Sequence, residues 1–120
     1  MGVTIKNLGR LQMKLDKLDP LTRAAAIRGV QKGALLVGGA AKMLAPVDTG
    51  ALRGSIVTMT EASANGATAT VGTDLEYAPY VELGTSRAKA QPYLHPGFRK
   101  NKDKVTKLIT SEIRNAYKGL

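Results

Sequence analysis

The chain has 120 residues, 43% of them apolar, which suits a single domain over residues 1–120 with one core. It has no Cys, which excludes disulfides and thiolate metal sites, and no run nears the roughly 20 apolar residues that a membrane helix needs. Lys and Arg total 18 against 9 acids, a net of +9; from Gly84 onward nine bases face two acids, which points to an acidic partner or to a solvated basic face.

In chain order, Val3-Thr4-Ile5 alternates like a short strand. The first residues lack the basic region and apolar core of a signal peptide. Leu8, Leu11, Leu15 and Leu18 recur at three and four, which predicts an amphipathic helix over about Asn7–Leu18. Asp19-Pro20 ends it and opens a second helix to Leu44, with Asp19 as cap and Pro20 at the first position. That helix holds Gly29, Gly33, Gly38 and Gly39. Each interior Gly costs about 1 kcal/mol relative to Ala, so either another backbone comes close or the helix kinks at Gly38-Gly39.

Ala45-Pro46 stops this helix, because a residue before Pro avoids the α region. Asp48 or Thr49 then caps a short turn over Gly50–Arg53. Ser55–Thr60 and Ala67–Gly72 read as strands joined at Asn65-Gly66, both of which tolerate positive φ. Pro79 and Gly84 bracket a short helix near Ala78–Leu83, with Tyr80, Val81 and Leu83 expected to anchor it on the sheet. Thr85–Gln91 is polar, basic and aperiodic, a candidate mobile, extended loop. Tyr93-Leu94 suggests a short strand, and Pro96 opens a last helix to about Tyr117. The fold class is α+β: an antiparallel sheet with a central Asn-Gly hairpin, packed by a long helix and a C-terminal helix.

No catalytic constellation accompanies these elements. His95 is the only His and has no acid beside it in sequence. No phosphate loop is present, and Gly29/Gly33 argues only for close helix packing. Asp48-Thr49-Gly50 matches the aspartic-protease tripeptide, but its flanks read as helix rather than as apolar strands. Glu76 and Glu82 read as surface carboxylates. The residues predict no enzyme and no cofactor. A non-specific nucleic-acid-binding protein is the alternative from another class, carried by the basic C-terminal half.

Three ordered blocks carry a family resemblance. They are Ala45-Pro46-Val47-Asp48-Thr49-Gly50-Ala51-Leu52-Arg53-Gly54-Ser55-Ile56, then Tyr77-Ala78-Pro79-Tyr80-Val81-Glu82-Leu83-Gly84-Thr85, then Ala90-Gln91-Pro92-Tyr93-Leu94-His95-Pro96. Together they resemble the head–tail joining, or tail-completion, proteins of long-tailed bacteriophages, over essentially the whole chain. The resemblance implies a non-catalytic homo-oligomeric ring, six-membered by expectation, between the head connector and the tail tube or tail terminator. It implies a place in the virion, with synthesis in the bacterial cytoplasm, DNA passing through the lumen, and no membrane partner. Within it, Thr85, Ser86, Arg87, Ala88, Lys89, Ala90 and Gln91 are candidates for subunit contact. Lys100, Lys104 and Lys107 are candidates for facing DNA or an acidic neighbour, and Pro46, Asp48, Thr49, Gly50, Pro79, Tyr80 and Gly84 for shaping the turns.

Overall fold

A computed structural model of the chain describes residues 2–6, 10–46 and 50–118. Asp48 and Thr49, expected as caps, lie outside the described residues. In order the elements are β1 (Gly2–Lys6), β2 (Arg10–Leu15), α1 (Pro20–Leu44), α2 (Ala51–Ser55), β3 (Val57–Ser63), β4 (Gly66–Gly72), α3 (Ala78–Leu83), α4 (Leu94–Arg99) and α5 (Lys102–Lys118). The four strands form one antiparallel sheet in the order β1-β2-β4-β3. The expected α+β class with an antiparallel sheet, long helix and C-terminal helix is what folds.

Of the segment expected as a first helix, Arg10–Leu15 is instead β2, and residues 7–9 lie outside the described residues. Its leucines fit a helical repeat, but Leu11, Met13 and Leu15 also fit a repeat of two. The second pattern wins because β4 supplies a partner: Leu11 pairs with Val71, Met13 with Ala69 and Leu15 with Ala67. Leu11 and Met13 are fully buried, while Lys14 between them and Leu15 points to solvent. Alanines on β4 let α1 lie close, and Ala67 and Ala69 are wholly buried.

The start of α1 follows the sequence. The Asp19 side chain accepts the Thr22 N–H at 2.8 Å, Pro20 takes the first turn, and Ala45 leaves the helix in extended conformation before Pro46. The helix runs unbroken through Gly38-Gly39, so these glycines mark no kink. Three α1 glycines serve close packing. A Cβ on Gly29 would stand 2.7 Å from Ile109 Cα, one on Gly33 2.9 Å from Val105 Cγ1, and one on Gly38 2.8 Å from Thr58 Cγ2. Helix α5 thus crosses α1 antiparallel, and Tyr117 near its end donates a hydrogen bond to Asp19. Helix α1 is the middle layer, with β4 and β3 on one side and α4 and α5 on the other.

Across the α1–α5 seam Arg28 and Lys32 both pair with Glu112. The Lys32 hydrogen bond, then that of Arg28, holds the Glu112 carboxyl below its ordinary range. A lowered carboxylate pKa stabilises the fold above the ordinary range and ceases to do so on acidification.

The β3–β4 hairpin sits where Asn65-Gly66 predicts it, for a different reason. Ser63 pairs with Gly66, leaving Ala64 and Asn65 as the turn, and neither Asn65 nor Gly66 has positive φ. Gly66 is required because a Cβ there would lie 2.2 Å from the Leu15 carbonyl oxygen. The Leu18 N–H donates to the Asn65 carbonyl at 2.6 Å, tying the turn to the entry of α1.

Near the C-terminus two expectations change. Leu94 opens α4 rather than a strand, and Pro96 lies inside α4. The last helix is a separate element, α5, reached through Lys100 and Asn101, where the Asn101 amide donates to the Gly97 carbonyl at 2.8 Å.

Candidate assembly surface

Helix α3 and the segment after it form the best-defined projection. At the end of α3, Gly84 has φ 79, the left-handed region that favours Gly, and a Cβ there would stand 2.6 Å from the Ala90 nitrogen. The two ends of the following loop are therefore nearly in contact. Inside it, the Thr85 N–H donates to the Ala88 carbonyl at 2.8 Å, and the Thr85 hydroxyl oxygen accepts from the Arg87 and Ala88 N–H groups. The Gln91 N–H closes the loop on the Val81 carbonyl at 2.8 Å. Thr85–Gln91 is thus a closed, internally bonded loop rather than an extended one. Every residue from Thr85 to Pro92 is exposed.

Glu82 fixes the base of this loop. Expected at the surface, it is 5% exposed, and its carboxylate accepts the N–H groups of Tyr93 at 3.1 Å, Leu94 at 2.9 Å and, more weakly, His95 at 3.4 Å. These are the free N–H groups at the start of α4, where a negative charge is favourable. The contact reaches across eleven to thirteen residues and shows no side-chain pairing pattern in sequence. His95, the lone His, takes part through its backbone.

Beside the loop lies an exposed apolar face that includes Tyr80 and Leu83, both expected to anchor α3 on the sheet. Tyr77, Tyr80 and Leu83 are spaced by three around α3, and all are exposed, Tyr80 by 62% and Leu83 by 59%. Val81 packs against the core and Ala78 is buried, so α3 meets the core by its opposite face. Pro79 occupies its first turn, as expected. The helical phase of Ala78, Val81 and Glu82 was the available signal for this exposure.

Tyr93, by contrast, is completely buried. Burial first, and then the nearby Glu82 charge, pushes its pKa from 10.0 to about 12. The folded pKa lies above the free one, so this stabilisation is full below pH 10 and disappears as pH rises through about 12. The hydroxyl has no hydrogen-bond partner among the described residues. Tyr93→Phe is therefore expected to be neutral or to stabilise by up to ~1 kcal/mol at pH 7. It should also flatten the loss of stability in alkali, read by urea melts at pH 7 and 11.

The other candidate residues fall into two groups. Lys100, Lys104 and Lys107 are all exposed, and among the described residues none forms an ion pair. Lys104 and Lys107 line a groove between α1 and α5 with Leu36 and Leu108, and Lys100 stands apart at the end of α4. Gly50 has φ 78 and starts α2, and Pro46 follows the end of α1. The α2 turn is held by buried Leu52 and by Ser55, whose hydroxyl bonds to the Leu52 carbonyl and to the Thr73 hydroxyl.

Residues 9–84 match a family model described as "Bacteriophage HK97-gp10, putative tail-component". The match runs from just before β2 to the end of α3 and stops where the basic loop begins. No curated protein and no solved structure matches the chain significantly. The matched span exceeds half of the chain and contains β2, the long helix, the hairpin and the exposed face of α3, and on that ground the chain belongs to the HK97-gp10-like family of bacteriophage tail components.

Proposed function

We propose that this tail component is a structural, non-enzymatic adaptor at the head–tail joint, forming a ring around the DNA channel between the head connector and the tail. The observation that carries this reading is the clamped Thr85–Gln91 loop beside exposed Tyr77, Tyr80 and Leu83. Aromatic side chains and Arg on a rigid base have the composition of a protein interface, and closing the loop in advance lowers the entropy lost on docking. Imaging of the assembled particle tests the proposal. This chain should occupy a ring at the joint, with the loop against a neighbouring subunit or ring; density for it elsewhere in the virion would refute the reading.

A variant separates assembly from folding. Arg87 and Lys89 are exposed and form no ion pair among the described residues. Arg87→Glu with Lys89→Glu should leave the melting temperature within a degree or two and greatly reduce tail attachment to heads. Normal attachment would show that the loop is no contact.

Lys104 and Lys107, beside their groove and without an ion pair among the described residues, favour a second reading, sequence-independent binding of DNA. On that reading the isolated chain binds duplex DNA with a steep salt dependence, and Lys104→Ala with Lys107→Ala lowers the slope of log affinity against log salt by about 2. In the particle, Lys100, Lys104 and Lys107 would then line the lumen; a position on the outer wall away from any partner would exclude both a DNA and a partner role.

A further inference from the structure

The sheet has one covered face and one open face. Thr58 of β3 meets α1 at Gly38, so by strand alternation Val57, Met59 and Glu61 point the other way. Val57 and Met59 are 57% and 56% exposed, and Glu61 is exposed beside them. Gly72 pairs with Val57 on one side and with Arg10 on the other. Having no side chain, it leaves a groove of about 190 Å³ between them, which Met59, Thr70, Glu61 and Asp74 also line. Arg10 at one end is paired with Asp74, whereas Glu61 at the other end has no ion pair among the described residues. The groove thus has an apolar wall and two acids to one base, on a chain whose net charge is +9.

Helix α3 and its loop have the complementary character. Tyr80 and Leu83 give an exposed apolar surface, and Arg87 and Lys89 stand beside it with no ion pair among the described residues. Asp74 closely precedes α3 in the chain, yet Tyr80 and Leu83 stay exposed, so a chain does not fill its own groove with them.

We propose that the open sheet face around Met59 and Glu61 receives the α3 face and the Thr85–Gln91 loop of a second copy of the chain. Tyr80 and Leu83 then lie against Val57 and Met59, and the basic loop against Glu61. Neither patch suits itself: two loops would oppose bases to bases, and two grooves would oppose unpaired glutamates. Placed together they match apolar to apolar and base to acid, which speeds the right encounter and rejects the wrong ones. Every copy offers one patch of each kind, so the contact is heterologous, and repetition closes a ring when the rotation per subunit allows it. This contact rests on the proposed self-assembly and names the surface that receives the loop.

Light scattering of the purified chain and of mixed variants tests it. The wild type should form a closed multimer larger than a dimer. Met59→Arg alters only the groove and Tyr80→Asp only the projection. Both positions are exposed, so the circular-dichroism spectrum and the melting temperature should stay near those of the wild type. Each variant alone should be monomeric. Mixed in equal amounts they should form dimers and nothing larger, since each keeps the patch that the other lacks. Cross-linking checks the register. The chain has no Cys, so Met59→Cys chains oxidised together with Tyr80→Cys chains should give the mixed dimer in excess over either same-variant dimer. Variants that assemble like the wild type, a mixture that stays monomeric at the highest concentration, or same-variant dimers in excess would overturn this contact while leaving a ring built by other surfaces. A wild type that stops at a dimer, or stays monomeric at every concentration, would also overturn it. The place at the head–tail joint is decided separately by imaging the particle.

Discussion

Glu82→Ala is expected to cost about 4 kcal/mol, the largest single-residue effect outside the apolar core. The carboxylate accepts two well-formed N–H bonds, from Tyr93 and Leu94, and a longer one from His95, at a site 5% exposed to water. Hydrogen bonds to a charged group contribute roughly 1.5–3 kcal/mol each, and buried N–H groups left without a partner cost about as much. For a domain of this size that is a fall of about 15 °C in Tm. Glu82→Gln keeps one carbonyl acceptor but loses the charge, so about half of the loss should remain. Local readouts distinguish loss of the clamp from general destabilisation. Amide exchange should accelerate first at Tyr93 and Leu94, and trypsin should cut after Arg87 and Lys89 at temperatures where the sheet still holds. Protection of both sites in folded Glu82→Gln would show that the loop is closed by its own hydrogen bonds alone. Because the clamp aims the loop, the proposed adaptor role predicts that tail attachment fails in Glu82→Gln before folding does.

What the sequence reveals and hides follows from the range of each interaction. The ends of α1 are legible because Asp19-Pro20 and Ala45-Pro46 act on backbone within four residues of themselves. The position of the hairpin is legible too, although Gly66 is needed against the Leu15 carbonyl, a contact from across the sheet. Strand β2 is misread because Leu8, Leu11, Leu15 and Leu18 suit a helix, and only pairing with Ala67, Ala69 and Val71 favours the alternation of Leu11, Met13 and Leu15. The candidate surface is legible in part. Its charged loop stands out as Arg87 and Lys89 in an aperiodic stretch, but its clamp does not, since the partners of Glu82 are backbone N–H groups that every residue except proline carries. Tyr80 and Tyr93 show the same limit: two tyrosines of similar neighbourhood in sequence, one 62% exposed and the other fully buried. The family match shares this boundary, ending at residue 84.

The second large effect is expected from one methyl group, with its sign set by position along a single helix. Gly29→Ala places a Cβ 2.7 Å from Ile109 Cα, closer than real Cβ contacts come, and the obstructing atom is backbone. Helix α5 must move away, which separates Val105 and Ile109 from the core. The obstruction is backbone and cannot rotate away, so the overpacking cost lies at or above the upper end of the usual range of roughly 1–3 kcal/mol and exceeds the helix-propensity gain of about 1 kcal/mol. A net loss of about 2 kcal/mol is expected, and above 3 kcal/mol for Gly29→Val. Gly39→Ala makes the same chemical change ten residues on, meets nothing within 4 Å, and should raise monomer stability by about 0.5–1 kcal/mol. Urea melts of the two variants read the difference directly. Gly33 supplies the control, because there the obstruction is Val105 Cγ1, a side-chain atom, at 2.9 Å. Val105→Ala should therefore relieve Gly33→Ala, giving a favourable coupling of about 1–2 kcal/mol in a double-mutant cycle. Ile109→Ala should relieve Gly29→Ala far less, since its Cα stays in place. Equal relief in the two cycles would mean that α5 slides freely over α1, and that the glycines do not fix the crossing.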